Sequence, residues 1–212
     1  MKLITASSLA LLTSSASAFS SFGKTKTTAK APAFTLDTIP GALEPAGLFD
    51  PLGFGAKADE ATLKRYREAE LTHGRVSMLA VVGFLAGEFV EGKSFLWDAS
   101  VSGPAITHLS QVPTPFWFLL ATFIGAAEQT RAEIGWTDPS NVPFDRPGLL
   151  NSDYVPGDLG FDPLGLRPED PEELRVLQTK ELQNGRLAML AAAGFMAQEL
   201  VNGKGIIENL MS

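Results

Sequence analysis

One stretch of this chain occurs twice. Residues 70–93 read ELTHGRVSMLAVVGFLAGEFVEGK and residues 181–204 read ELQNGRLAMLAAAGFMAQELVNGK, so fourteen of twenty-four positions are identical at a constant offset of 111. Self-similarity on this scale dictates an architecture of related units, whatever else the chain does. The same offset carries Asp59 onto Asp170, and GLFDPLGF at 47–54 echoes GFDPLGL at 160–166 with a slip of one residue. The chain is therefore built from two units, each an FDPLG turn followed by a long helix.

The helix limits repeat as well. Asp59 and Asp170 suit the N-cap, Pro171 the first helical position, and Gly92 and Gly203 the position just past the last turn. Helices over about 60–91 and 171–202 follow, each about 48 Å long at 1.5 Å per residue. That exceeds the ~30 Å hydrocarbon core of a bilayer. Yet the uncharged stretches inside them, 76–87 and 187–198, hold only twelve residues each. By hydropathy alone they read as buried helices. Tilted spans with charged ends projecting from the membrane reconcile length with charge. A charge-free run from Ala99 to Ala127 separates the repeats. Thr114-Pro115 opens a third helix in it, over about 115–132, which Gly135 and Pro139 end. The expected fold is an all-α membrane protein with three transmembrane helices, the first and third parallel and crossed about a pseudo-two-fold axis along the membrane normal.

Glu, Arg and His inside a membrane are costly and are functional candidates by default. Each repeat holds a Glu and an Arg five residues apart, Glu70 with Arg75 and Glu181 with Arg186. Five residues turn a helix by about 500°, which leaves the two side chains ~140° apart and unable to pair well on one helix. Across the two-fold axis they pair as Glu70 with Arg186 and Glu181 with Arg75, locking the crossed helices. The competing outcome is that each charge snorkels to the surface separately.

Composition narrows the function classes. The chain has 212 residues and no cysteine, which excludes disulfides, thiolate metal sites and a cysteine nucleophile. His73 and His108 are the only histidines, too few for a His-rich metal site. A net charge of -7 argues against a nucleic-acid partner. Residues 1–18 have the layout of a signal peptide, and the basic, hydroxylated, acid-free stretch over 19–32 that of a plastid transit peptide. The join at Ala18–Phe19 resembles the bipartite leader of red-lineage plastids; an ordinary secretory leader with a linker is the other reading. Residues 33–212 then form the mature domain. Loss of Lys2, Lys24, Lys26 and Lys30 leaves it with 13 basic against 24 acidic residues.

Three residues after each repeated Glu comes a polar residue on the same helix face, His73 or Asn184. Gln198 lies fourteen residues beyond Asn184, ~40° around the helix and about 21 Å along it. Each of these groups offers one nitrogen or oxygen donor, and no spacing gathers three or four around one ion. Isolated single donors suit a metal already chelated in a plane, such as the magnesium of a chlorin.

The motifs ExxHGRxxML at Glu70–Leu79 and ExxNGRxAM at Glu181–Met189 resemble those of the light-harvesting chlorophyll-binding protein family of thylakoid membranes, over nearly the whole mature chain. The resemblance implies that Glu70, His73, Glu181, Asn184 and Gln198 are axial ligands of chlorophyll magnesium, with Arg75 and Arg186 as the ion-pair partners that leave each Glu a free oxygen. It also implies a ligand at Glu128, paired with Arg131. Chlorophyll a, chlorophyll c and fucoxanthin or other carotenoids are the implied cofactors. The leader points to the fucoxanthin chlorophyll a/c type of a diatom-like plastid. The implied role is an antenna subunit in the thylakoid membrane, multi-pass and without enzymatic activity. It would pass excitation to photosystem I or II beside other antenna subunits, in an oligomer or supercomplex among thylakoid lipids.

The pattern also departs from the family. Leu120 stands where green-plant members often carry a Gln, and the chain ends before a further His found in some members. Gly87, the repeat mate of Gln198, has no ligating side chain; a water ligand or a closely packed pigment are the options there. His108 is a possible ligand or a solvated loop residue. Asp50 and Asp162 either shape carotenoid ends or only their turns. Met78, Met189, Phe84 and Phe195 either touch pigment or pack the core. The competing functions are a photoprotective, energy-quenching member of the same family and, from a different class, a parallel-repeat membrane transporter with polar midplane residues. A soluble helical enzyme lacks any nucleophile or base constellation.

Overall fold

The structure, a computed structural model, describes residues 34–36, 39–43, 47–93, 100–144 and 148–211. The leader segments at 1–18 and 19–32 lie outside the described residues. The described chain is helical, with isolated β-bridges only at Leu43–Gly47 and Trp136–Leu150. A short turn of helix, α1 (Phe54–Lys57), precedes the first long helix, α2 (Glu60–Phe89). Helices α3 (Ala105–Gln111), α4 (Thr114–Gly135), α5 (Pro171–Asn202) and α6 (Ile206–Met211) follow.

The expected caps form at Asp59, Asp170 and Gly203 but not at Gly92, because α2 ends at Phe89 with Val90 as its C-cap. The carboxylate of Asp59 accepts from Thr62 N–H and that of Asp170 from Glu173 N–H, and Gly203 closes α5 in the left-handed region at φ 63°. Helix α5 therefore matches its expected limits, while α2 stops at Phe89 rather than near residue 91. The last turn of α2 tightens there: Glu91 N–H bonds to Glu88 C=O and Lys93 N–H to Val90 C=O. Helix α4 runs three residues beyond its expected end, to Gly135, where the Tyr154 ring lies against the glycine and leaves a Cβ only 3.2 Å of room.

Helices α2 and α5 pack mainly on each other, with α3 and α6 tucked against them. They cross at Gly74 and Gly185, which are repeat mates. A Cβ built on either glycine would lie 3.0 Å from the Cα of the other, so the two backbones touch. Farther along, Phe84 and its mate Phe195 meet edge to face at 6.2 Å, so these two rings pack the helix interface. Helix α4 stands apart and makes few close backbone approaches to either long helix. Among the described residues, length and composition alone mark no single helix as a membrane span. Helices α3 and α4 reach that length and composition together, but with a bend of 106° between them.

The repeat extends further than the motif. Glu88 and Glu199, also mates, each cap a short helix: Glu88 accepts from Ile206 and Ile207 N–H at the start of α6, and Glu199 from Ala105 and Ile106 N–H at the start of α3. Upstream of each FDPLG turn lies a glycine at positive φ, Gly41 at 106° and Gly157 at 85°. Each presses on the other repeat. Gly41 meets Leu182 and receives Arg186 on its carbonyl, while Gly157 meets Leu71 and receives Arg75. The straps are thus exchanged between units.

The FDPLG turns are held by their aspartates. Asp50 accepts from the N–H groups of Phe54, Gly55 and Ala56, and Asp162 from those of Leu166 and Arg167. Turn geometry accounts for both residues. The Arg167 and Leu166 amides hold the Asp162 carboxyl below its ordinary pKa of 3.8. A depressed carboxyl stabilises the fold above its unfolded pKa and loses that contribution as pH falls through the folded value. The 160–166 turn should therefore be fully held above pH 3.8 and loosen as the pH falls through the lower folded value. Protection of the Leu166 and Arg167 amides, relative to their intrinsic exchange rates, should fall only in acid, and Asp162→Asn should remove that fall.

Candidate functional site

The crossed pair positions most of the candidate residues. Arg75 Nε donates to Glu181 Oε1 at 2.7 Å, and Arg186 Nε donates to Glu70 Oε1 at 2.8 Å. Both cross-helix pairs expected from the spacing are present. Glu181 Oε2 accepts no hydrogen bond among the described residues, as a single-donor site needs. Glu70 differs. Its Oε2 lies 3.1 Å from Nη1 of Arg67, a residue whose repeat mate is Gln178, so Glu70 faces two cations where Glu181 faces one. Arg67 Nη1 is buried and lacks a hydrogen bond of good geometry despite that proximity.

His73 and Asn184 occupy equivalent places. His73 Nδ1 lies 2.7 Å from the Ala69 carbonyl, so Nδ1 carries the proton and Nε2 keeps its lone pair outward. Asn184 Nδ2 donates to the Lys180 carbonyl at 2.9 Å, leaving Oδ1 outward. Ala69 and Lys180 are themselves repeat mates. A ligand whose second atom is anchored on a backbone carbonyl is the usual support of a metal donor. Both side chains belong to exposed residues of the protein alone. Gln198 Nε2 is buried without a hydrogen-bond partner, which leaves its amide uncommitted to the protein.

Glu128 and Arg131 pair at 2.8 Å on α4, as the i,i+3 spacing anticipates. Arg131 is also held by a residue that pattern reading passes over. Its Nε donates at 2.9 Å to Oε1 of Glu68, which is only 3% exposed. Glu68 Oε2 accepts from Tyr154 Oη at 2.9 Å and from Gly157 N–H at 2.8 Å. Burial, and then the Glu68 charge, push the Tyr154 phenol above its ordinary pKa. Gly41 and Gly157 were equally invisible as site supports, although Ile39-Pro40-Gly41 and Val155-Pro156-Gly157 echo one another in the sequence. Glu88 and Glu199 stood in the repeat as an identical pair without an assigned role.

His108 is neither solvated nor in a loop. It lies in α3, is 8% exposed, and donates from Nε2 to the Gly103 carbonyl at 2.8 Å. The other side of its ring packs on Gly87, where an added Cβ would stand 3.0 Å from Nδ1. The imidazole thus fills the space beside Gly87 for which a water or a pigment was the expectation. Its burial follows from Glu199, whose carboxylate starts α3 and ties that helix against the crossed pair.

The donors form no metal cluster among the described residues. Each stands alone on a helix face beside exposed apolar side chains: Val76, Leu79, Leu187 and Leu190 near His73 and Asn184, and Phe118 and Phe123 on α4. No side chain among the described residues is both large and fully buried. Single donors flanked by large uncovered apolar surface fit flat, apolar, magnesium-bearing rings, which would cover what the protein leaves open.

Comparison with known proteins agrees. The family model described as chlorophyll A-B binding protein matches residues 35–200. The chain is 53% identical over 175 residues to light-harvesting complex stress-related protein 3.2 of Chlamydomonas reinhardtii, covering 81% of this chain and 66% of that protein. It is 47% identical over 165 residues to a fucoxanthin-chlorophyll a-c binding protein of Isochrysis galbana, covering 78% and 77%. A chlorophyll a-b binding protein of Petunia hybrida is 34% identical over 177 residues, covering 77% and 62%. The chain spans just under two thirds of the length of the stress-related relative.

Proposed function

The chain belongs to the chlorophyll a-b binding protein family, whose fold is all-helical and membrane-embedded; from that premise we propose that it is a light-harvesting antenna subunit of the plastid thylakoid. Helices α2, α4 and α5 are its three spans. It holds chlorophyll a, chlorophyll c and fucoxanthin or a related carotenoid, and hands excitation to a photosystem beside other antenna subunits. The observation that carries this reading is the paired anchoring of His73 and Asn184, each tied to the carbonyl four residues back with one donor left outward.

The bound pigments supply light absorption and excitation transfer; the protein supplies geometry. Glu70, His73, Glu128, Glu181, Asn184 and Gln198 would hold the chlorophylls, Glu70 through the oxygen that Arg67 also approaches. Arg75, Arg131 and Arg186 neutralise the three carboxylates, so that none is an uncompensated charge in the membrane. The crossing at Gly74 and Gly185 fixes the two symmetric sets relative to each other, and rigid helices hold donor positions better than loops do. His108 packs on Gly87 and is not a ligand in this scheme. No reaction is assigned to any residue.

Asn184→Leu should lose one chlorophyll per polypeptide from the complex refolded with native pigments, and keep the remaining pigments and the helical content. Pigment extraction and quantitation check it. An unchanged stoichiometry would remove Asn184 from the ligand set, and a colourless purified protein would overturn the antenna reading and favour a transporter. The 53% identity to a stress-related light-harvesting protein favours a second reading, photoprotective quenching by the same pigment set. A fluorescence lifetime that shortens in acid separates quenching from harvesting.

A further inference from the structure

Helix α4 has little to hold it against the crossed pair. It makes few close backbone approaches to the crossed pair, and its outward face is apolar and exposed. Its polar tie to α2 is the bond from Arg131 to the buried carboxylate of Glu68. That carboxylate is otherwise saturated. Tyr154 and the Gly157 amide occupy Oε2, and Arg131 occupies Oε1. A carboxylate with three charge-assisted donors in a site this dry is fixed in direction. Arg131 is fixed with it. With Nε committed to Glu68, the guanidinium gives Nη1 to Oε2 of Glu128 and leaves Oε1 of that residue without a hydrogen bond among the described residues.

The tie continues across the molecule. The Gly157 N–H donates to Glu68 and its carbonyl accepts from Arg75, and Arg75 reaches Glu181 on α5. Glu128, Arg131, Glu68, Gly157, Arg75 and Glu181 form one connected line from α4 through α2 to α5. Glu68 is its midpoint, and its repeat mate is Thr179, so the second unit has no equivalent.

We propose that Glu68 is a positioning residue for the pigment site on α4: it restrains Arg131 to one oxygen of Glu128 and keeps the other oxygen available to magnesium. The proposal rests on Glu128 being a ligand. In Glu68→Gln the charge that restrains Arg131 is gone, and the guanidinium turns to take both oxygens of Glu128 as a bidentate pair. The α4 chlorophyll is then lost although Glu128 is intact.

The test refolds the full chain with a defined mixture of chlorophyll a, chlorophyll c and fucoxanthin, and reads pigment per polypeptide together with the red-band absorption difference from wild type. Glu128→Leu should lose one chlorophyll and define the band of the α4 site; if it loses none, Glu128 is no ligand and the proposal falls with that reading. Glu68→Gln should lose the same single band, while Tyr154→Phe, which leaves the Arg131–Glu68 pair intact, should keep it. Retention of the band in Glu68→Gln, with Glu128→Leu behaving as expected, overturns the proposal alone. Equal loss of all bands also overturns it, because Glu68 would then serve the scaffold as a whole. Where Glu68→Gln does not refold, Glu68→Asp retains the charge but withdraws it by one methylene. It should lose the α4 band alone, and full retention or uniform loss counts against the proposal.

Discussion

Gly74→Val should abolish the crossed helix pair. A Cβ at this position would stand 3.0 Å from the Cα and 3.5 Å from the carbonyl carbon of Gly185, and both are backbone atoms. A flexible side chain could swing aside, but two helix backbones in contact can only separate. Overpacking a tight core typically costs ~1–3 kcal/mol. Here the separation also pulls on Arg75–Glu181 and Arg186–Glu70, which bridge the same crossing at 2.7 and 2.8 Å. The effect should sit at the upper end, ~3 kcal/mol, or roughly a hundredfold at 1.4 kcal/mol per decade. The folding equilibrium constant should fall by that factor, and the thermal stability and yield of the refolded, pigmented complex should drop with it. Gly83→Ala is the control on the same helix, because a Cβ there has nothing within 4 Å. Equal yields for the two variants would show that the helices do not cross at Gly74 and Gly185.

What could be read from the sequence was whatever the repeat duplicates or a helix's own periodicity decides. The two Glu–Arg pairs follow from an angular argument: residues five apart on a helix cannot meet, and a two-fold axis offers each a partner. The caps at Asp59, Asp170 and Gly203 follow from local chemistry. Glu68 lay beyond such reasoning. Its partners Arg131, Tyr154 and Gly157 stand 63, 86 and 89 residues away, and Thr179 as its mate gives no duplicate signal. The helical, buried place of His108 is hidden from local pattern for the same reason. The segment around it has no strong N-cap of its own, since Pro104 precedes α3 and offers no side-chain bond. The cap comes from Glu199, more than ninety residues on. Long-range polar contacts of this kind decide where a loop becomes a helix, and spacing within a segment is blind to them.

The duplication suggests that the two cross-helix pairs are equivalent; the structure makes them unequal, and Arg75→Leu should be the more damaging of the two arginine deletions. Each arginine bonds one carboxylate and one strap carbonyl, Arg75 with Glu181 and Gly157, Arg186 with Glu70 and Gly41. Removing either forfeits the same two bonds. What remains differs. Without Arg186, Glu70 still faces Arg67 at 3.1 Å, and the Arg67 side chain is only 12% exposed. Without Arg75, Glu181 has the uncharged Gln178 at the equivalent place and no other ion pair among the described residues. Breaking an ion pair costs up to ~1 kcal/mol when it is exposed and ~3–5 kcal/mol when it is buried. The Arg75–Glu181 pair, 38% and 35% exposed in the protein alone, falls between these limits. A chain of this size loses roughly 2–4 °C in Tm per kcal/mol. Arg75→Leu should therefore lower the Tm of the pigmented complex by several degrees more than Arg186→Leu, and lose the chlorophyll proposed for Glu181. Glu70 in Arg186→Leu should keep its own. The double variant Arg67→Gln with Arg186→Leu restores the symmetry and should fall to the level of Arg75→Leu. If the single arginine variants melt alike, Arg67 does not compensate Glu70, and the two carboxylate sites are the equals that the repeat implies.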